Sequence, residues 1–315
     1  MTAAFTFPGQ GSQAVGMGKD LADNFAAARA VFDEVDAALG QKLSALMWDG
    51  PIEDLTLTSN AQPALMAVSM ATARVLEAEF GVTVKDHAGY VAGHSLGEYS
   101  ALAAAGTFSI ADAARLLRTR GDAMQKATPV GTGAMAALLG LDYEAAAKVA
   151  AEAAQGDVCQ AANDNAPGQV VVSGSKAAVE RAVEIAKTHG AKRAMLLPVS
   201  APFHCALMQP AAEVMAEALA GVTMNDPAVP LIANVTAGPV SDAATIRANL
   251  VKQVTGTVRW RESVEWMAAN GVMAMIELGA GKVLTGMAKR MAPEANCMAT
   301  ASVADLEAVA AALKS

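Results

Sequence analysis

The 315-residue chain carries 23 Lys and Arg against 31 Asp and Glu, a net charge of −8 that argues against general nucleic-acid binding and sends any acidic partner to a local basic patch. Apolar residues make up 53% and charged ones 17%, but the excess is scattered alanine and methionine. With no uninterrupted apolar run of about 18 residues, no membrane span is expected. Three widely spaced cysteines, Cys159, Cys205 and Cys297, suit reduced thiols, and the first residues lack the basic-then-apolar pattern of a secretory signal. Both features predict a cytoplasmic protein.

In chain order, Ala3-Ala4-Phe5-Thr6-Phe7 reads as a buried strand ending in the glycine-rich loop Pro8-Gly9-Gln10-Gly11-Ser12-Gln13. The spacing Gly9-x-Gly11-x-x-Ala14 resembles a dinucleotide fingerprint. Pro8 inside the junction, and a helix at 25–39 where a second strand belongs, weigh against it. A loop offering N–H groups to an anion, or a plain strand exit, are the other readings. Helical segments follow over 21–48, and Asn60 is expected to cap a long helix closed by Gly81. A short apolar run at 88–92 then enters Gly93-His94-Ser95-Leu96-Gly97, with a helix behind it. Ser109 and Asp112 form the start of the next helix, which runs to about Ala127 before Pro129.

Residues 129–198 change rhythm: strand 133–139, helix 144–154, strand 158–162, a turn at Asn163–Gly168, strand 169–172, helix 176–188 and strand 192–197. This β-α-β-β-α-β order predicts a ferredoxin-like unit inserted into a larger α/β body made of 1–128 and 199–315. The body resumes with helix 206–220, strand 230–235, helices 243–254 and 260–269, strand 272–277, helix 282–290, strand 295–299 and helix 302–313.

The G-x-S-x-G pattern between a strand and a helix is the context of a nucleophile elbow, where glycines give room for a sharp turn that lifts the Ser95 hydroxyl. A tight turn with an ordinary serine is the alternative. A serine nucleophile needs a base, and the chain has four histidines. His87 lies on the far side of the elbow strand, His94 should point away from Ser95, and His189 ends a helix beside Gly190. His204, in the proline-bounded loop Pro198–His204, remains as the candidate base, with a buried structural histidine as the alternative. His189, His204 and Cys205 do not form a recognisable metal ligand set, so no metal is expected.

The motifs Phe7-Pro8-Gly9-Gln10-Gly11-Ser12-Gln13, Gly93-His94-Ser95-Leu96-Gly97-Glu98-Tyr99, Arg120-Gly121, Gly131–Ala137, Asn165–Gln169, Pro202-Phe203-His204 and Val229–Val235 together resemble the malonyl-CoA:acyl carrier protein transacylases of fatty-acid synthesis, over nearly the whole chain. The resemblance implies an α/β-hydrolase-like large domain with a ferredoxin-like small domain and an active site between them. It implies Ser95 as acyl-accepting nucleophile, His204 as base, and the backbone carbonyl of Gln253 as the group orienting the imidazole. Gln10 and Leu96 would supply oxyanion-hole N–H groups, and Arg120 would hold the malonyl carboxylate. The implied reaction is ping-pong transfer from malonyl-CoA to acyl carrier protein, by a monomer and without a cofactor.

An acidic carrier would dock on a basic area, for which Lys126, Lys187, Lys192 and Arg193 are candidates, with Lys289-Arg290 a weaker one that could equally be a solvated helix end. Two other classes remain. One is a hydrolase, or a transferase for methylmalonyl or uncharged acyl groups, the latter opposed by Arg120. The other is a silent carrier-binding protein, opposed by the intact Ser95, His204 and Gln10.

Overall fold

The computed structural model describes residues 2–129, 131–199 and 201–314; Met1, Val130, Ser200 and Ser315 lie outside the description, and Ser200 belongs to the loop expected before His204. Ten strands run among the described residues: β1 Thr2–Phe7, β2 Tyr90–Gly93, β3 Gly133–Leu139, β4 Cys159–Ala166, β5 Gln169–Ser175, β6 Arg193–Leu196, β7 Leu231–Ala233, β8 Gly238–Val240, β9 Val272–Glu277 and β10 Asn296–Ala299. They form two sheets, one ordered β10-β9-β1-β2-β7-β8 and one ordered β4-β5-β3-β6. The first is parallel except for the β7–β8 edge pair.

A parallel sheet needs both faces covered, and the burial pattern shows how this one achieves it. Ala3, Phe5 and Phe7 of β1, Val91 of β2 and Ile276 of β9 pack into the larger core. That core takes in helices Thr58–Phe80 and Ile110–Lys126. The intervening Ala4, Ala92 and Met275 face the opposite way, into a cluster around Trp260, Val264 and Leu284. Helices Trp260–Ala269 and Val283–Met291 supply those side chains.

The smaller sheet is antiparallel and comes from the β-α-β-β-α-β run expected for 129–198. Its alternation is equally clear. Ala136, Leu138, Val170 and Val172 pack against helices Tyr143–Ala154 and Lys176–Thr188, whereas Met135 and Val171 join the larger core. One face of this sheet is therefore a wall of the main body. None of its strands continues the sheet that holds β2.

Two local expectations need correction. The long helix begins at Thr58 with Leu57 as its cap, so Asn60 is not the cap; its amide instead donates to the Asp54 carbonyl. Residues 163–166 are strand, not turn, because β4 continues through two irregularities and leaves only Pro167-Gly168 to reverse the chain. The edge strand β8 and the short helices Ile52–Thr56 and Val84–His87 had no clear sequence signal.

Candidate active site

The turn after β2 is enforced by contact. A Cβ on Gly93 would lie 1.9 Å from the Gly97 carbonyl carbon, and one on Gly97 would lie 2.2 Å from the Phe7 carbonyl oxygen. Only glycine fits either place. Ser95 between them has φ 54°, a left-handed conformation that costs a non-glycine residue about 1–2 kcal/mol. The side chain of Asn234, after β7, holds the strained turn: its Oδ1 accepts from Ser95 N at 2.8 Å and its Nδ2 donates to the Gly93 carbonyl at 2.7 Å. The hydroxyl is thus presented at the C-terminal end of a parallel strand, where ligand sites of open α/β sheets lie.

Ser95 Oγ lies 2.8 Å from Nε2 of His204, and His204 Nδ1 lies 2.9 Å from the Gln253 carbonyl oxygen. Because a carbonyl only accepts, Nδ1 carries the proton and Nε2 is free to accept from the serine. His204 also has a left-handed backbone, φ 59°. Burial, with the Arg120 charge as second cause, pushes its pKa down to about 3, so the ring is neutral at ordinary pH.

Arg120 completes the group. Its Nη2 donates to Ser95 Oγ at 3.1 Å and to Gln253 Oε1 at 2.9 Å, and its Nη1 donates to Gln62 Oε1 at 2.8 Å. The guanidinium lies 5.7 Å from the centre of the Tyr99 ring and the residue is only 1% exposed. Gly121 explains how a helix brings it so deep: a Cβ there would lie 2.5 Å from Ser59 Cα, so the glycine lets helix Ile110–Lys126 close on helix Thr58–Phe80. Gln10 reaches the same assembly through Thr58, whose hydroxyl donates to Gln10 Oε1 at 2.9 Å while accepting from Gln62 Nε2 at 2.9 Å. Leu96 follows the serine and is buried at the start of helix Gly97–Ala104.

The structure thus brings Ser95, His204, Arg120 and Gln253 into direct contact and links Gln10 to them. None of the other histidines bonds the Ser95 hydroxyl, as expected. His94 turns away from the hydroxyl to Asn165 Oδ1 at 2.8 Å, His87 bonds back to Thr83, and His189 pairs with Glu152. Sequence reasoning missed Thr58, Gln62 and Asn234, and it missed the Gln253 side chain. Nothing local marks a long-range partner of this kind. Among the described residues no group of three or more His, Cys, Asp or Glu could hold a metal ion, and no helix is long and apolar enough to cross a membrane.

A strained serine bonded to a neutral imidazole, with a guanidinium on the same oxygen, is equipped for acyl transfer. The fold and the site define an acyltransferase. The chain belongs to the acyl transferase domain family, whose model matches residues 4–307. It is 49% identical over 311 residues to the malonyl CoA-acyl carrier protein transacylase of Escherichia coli (strain K12), covering 99% of this chain and 98% of that one. Among solved structures it is similar to the acyl-carrier-protein-S-malonyltransferase of Bartonella henselae, with TM-score 0.97, 57% identity and all of both chains covered. It is also similar to a malonyl-transacylase solved in complex with a type II PKS acyl-carrier protein, with TM-score 0.95, 44% identity, and 99% and 100% of the two chains covered.

Proposed function

We propose that the protein moves the malonyl group of malonyl-CoA to the phosphopantetheine thiol of an acyl carrier protein, as part of fatty-acid synthesis, through an ester on Ser95. The observation that carries this reading is the buried Arg120 guanidinium within 3.1 Å of the Ser95 hydroxyl. A cation there serves no purpose for an uncharged acyl chain, whereas its planar fork suits a carboxylate two atoms beyond the reacting carbonyl.

In the forward half-reaction Ser95 Oγ attacks the thioester carbonyl carbon while His204 Nε2 takes the hydroxyl proton. The backbone N–H groups of Gln10 and Leu96 receive the oxyanion. Collapse breaks the carbon–sulfur bond, and the departing thiolate takes the proton from His204. In the second half the carrier thiol gives its proton to His204 and attacks the ester, and Ser95 Oγ leaves with that proton. The Gln253 carbonyl keeps the imidazole in the tautomer both halves need. The chemistry needs no cofactor, since malonyl-CoA is consumed as substrate, and no metal.

The strand order β4-β5-β3-β6 supports reading 129–198 as a ferredoxin-like unit, inserted in an α/β-hydrolase-like body of 1–128 and 199–315. We read the protein as a cytoplasmic monomer. For an acidic carrier, the exposed Lys126, Lys192 and Arg193 are the best placed cations. Lys187 is paired with Glu184, and Arg290 is spent on the Gln169 side chain and the Pro167 carbonyl.

The test is substrate discrimination. Losing one partner of a desolvated charge pair costs about 2–5 kcal/mol, so Arg120→Ala should lower kcat/KM for malonyl-CoA by about 30- to several-thousand-fold. Acetyl-CoA has no carboxylate to leave unpaired and should lose far less. Equal loss for both substrates would make Arg120 structural and remove the substrate assignment.

A further inference from the structure

Gln253 is bonded through both ends of its side chain as well as its backbone. Its Oε1 accepts from Arg120 Nη2 at 2.9 Å. Its Nε2 donates to Glu98 Oε2 at 2.7 Å and to the Ser95 carbonyl at 3.0 Å. The amide has one orientation available: a guanidinium only donates, so the atom facing Arg120 is oxygen, and the nitrogen then faces acceptors alone. Its backbone carbonyl meanwhile holds His204 Nδ1 at 2.9 Å. One residue therefore touches the imidazole, the guanidinium and the nucleophile's own backbone.

The anchor of this brace is Glu98, in the first turn of the helix after Ser95 and wholly buried. Its Oε2 also accepts from Asn234 N at 3.2 Å, while Oε1 has no hydrogen-bond partner. A fully buried carboxyl with one unpartnered oxygen is costly, and nothing in the acyl-transfer steps uses it. Without it, however, the Asn234 N–H would lose its acceptor and one Gln253 N–H would keep only the longer contact to Asn234 Oδ1 at 3.4 Å.

We propose that Glu98 is a positioning residue that acts through the Gln253 side-chain amide to hold Arg120 in register with Ser95. The inference rests on Arg120 being the partner of the substrate carboxylate. Arg120 is then aimed by two amide oxygens, Gln62 Oε1 on one nitrogen and Gln253 Oε1 on the other. Only the second is tied to the serine turn. The Gln253 brace thus converts a buried charge into a directional reader of the acyl group.

The experiment measures the rate of ester formation on the full-length protein by intact mass, with malonyl-CoA and with acetyl-CoA, and reads the ratio of the two. Gln253→Met keeps the backbone carbonyl but removes the brace, and Glu98→Ala removes its anchor. Gln253→Asn, too short to span Arg120 and Glu98, gives a more conservative second test where Met disturbs folding. Each should lower the malonyl-to-acetyl ratio by about 10- to 100-fold, the worth of one misdirected hydrogen bond to a charged group. Glu98→Gln offers an amide oxygen to the same two N–H groups and should hold the ratio within about threefold of wild type. A ratio unchanged in Gln253→Met or Gln253→Asn, or lost equally in Glu98→Gln and Glu98→Ala, would overturn the proposal. Arg120→Ala separates this failure from failure of the underlying reading, since there the ratio must collapse whatever Gln253 does.

Discussion

Ser95 and His204 both sit at positive φ, 54° and 59°, as do Gln155 and Ala237 among the described non-glycine residues, so two of these four strained positions share a hydrogen bond at the hydroxyl. The protonation of His204 follows from burial. The folded His204 has its pKa at about 3 against 6.5 for the free side chain. The stability gained from a neutral ring is therefore present above pH 6.5 and lost as pH falls toward 3. Glu98 runs the other way. Burial, opposed by bonds to Gln253 and Asn234, raises it to about 7 from 4.5, so its carboxyl is accommodated best when protonated and stability falls as pH rises through that interval. Melting curves of Glu98→Gln and wild type should diverge in favour of the variant between pH 5 and pH 8, by up to about 3 kcal/mol. In that same variant, ester formation should stay nearly flat between about pH 5 and 8, because the His204 ring is already neutral throughout. A fall centred near 6.5 would show that burial does not hold the His204 ring neutral.

At the scale of elements, contact decides what is tolerated. Gly97→Ala would drive a methyl into the Phe7 carbonyl and should cost more than about 3 kcal/mol, read as loss of the folded protein in denaturant. Ser109→Ala, by contrast, removes one helix cap whose hydroxyl accepts from Asp112 N at 3.0 Å, and should cost about 1 kcal/mol. That cap, the elbow and the strand–helix alternation were legible because each is written in neighbouring residues. The Asn163–Ala166 stretch misled because Asn-Asp-Asn before Pro-Gly has turn propensity. In the fold Asp164 bonds Arg261 and Asn165 bonds His94, so partners from the main body keep polar residues in a strand. Asn60 misled for a related reason: its amide is taken by Asp54, and the long helix starts at Thr58, where the hydroxyl serves Gln10. Arg120 and the Gln253 carbonyl were reached only by resemblance. Their contacts span 25 to 133 positions of chain, and periodicity carries no information over such distances.

The molecule works as one unit because the smaller sheet is tied to the body beside the site. Asp164 is buried against Arg261, with Nη2 to Oδ2 at 2.8 Å, and a parallel bridge joins Asn163 to Val258. Arg261→Met would leave the Asp164 carboxylate without its cation and should lower stability by about 2 kcal/mol, measured by denaturant melting. Because Asn165 is next in β4 and bonds His94, the same variant should also slow acylation of Ser95. The role proposed for Ser95 is to carry the malonyl group between donor and carrier. It is tested most directly by the intact mass of the protein after incubation with malonyl-CoA and again after addition of carrier protein. Wild type should gain one malonyl increment and lose it as the carrier gains the same mass, and Ser95→Ala should gain none. An increment that forms on Ser95→Ala as fast as on wild type, or that persists when carrier is added, would contradict that role.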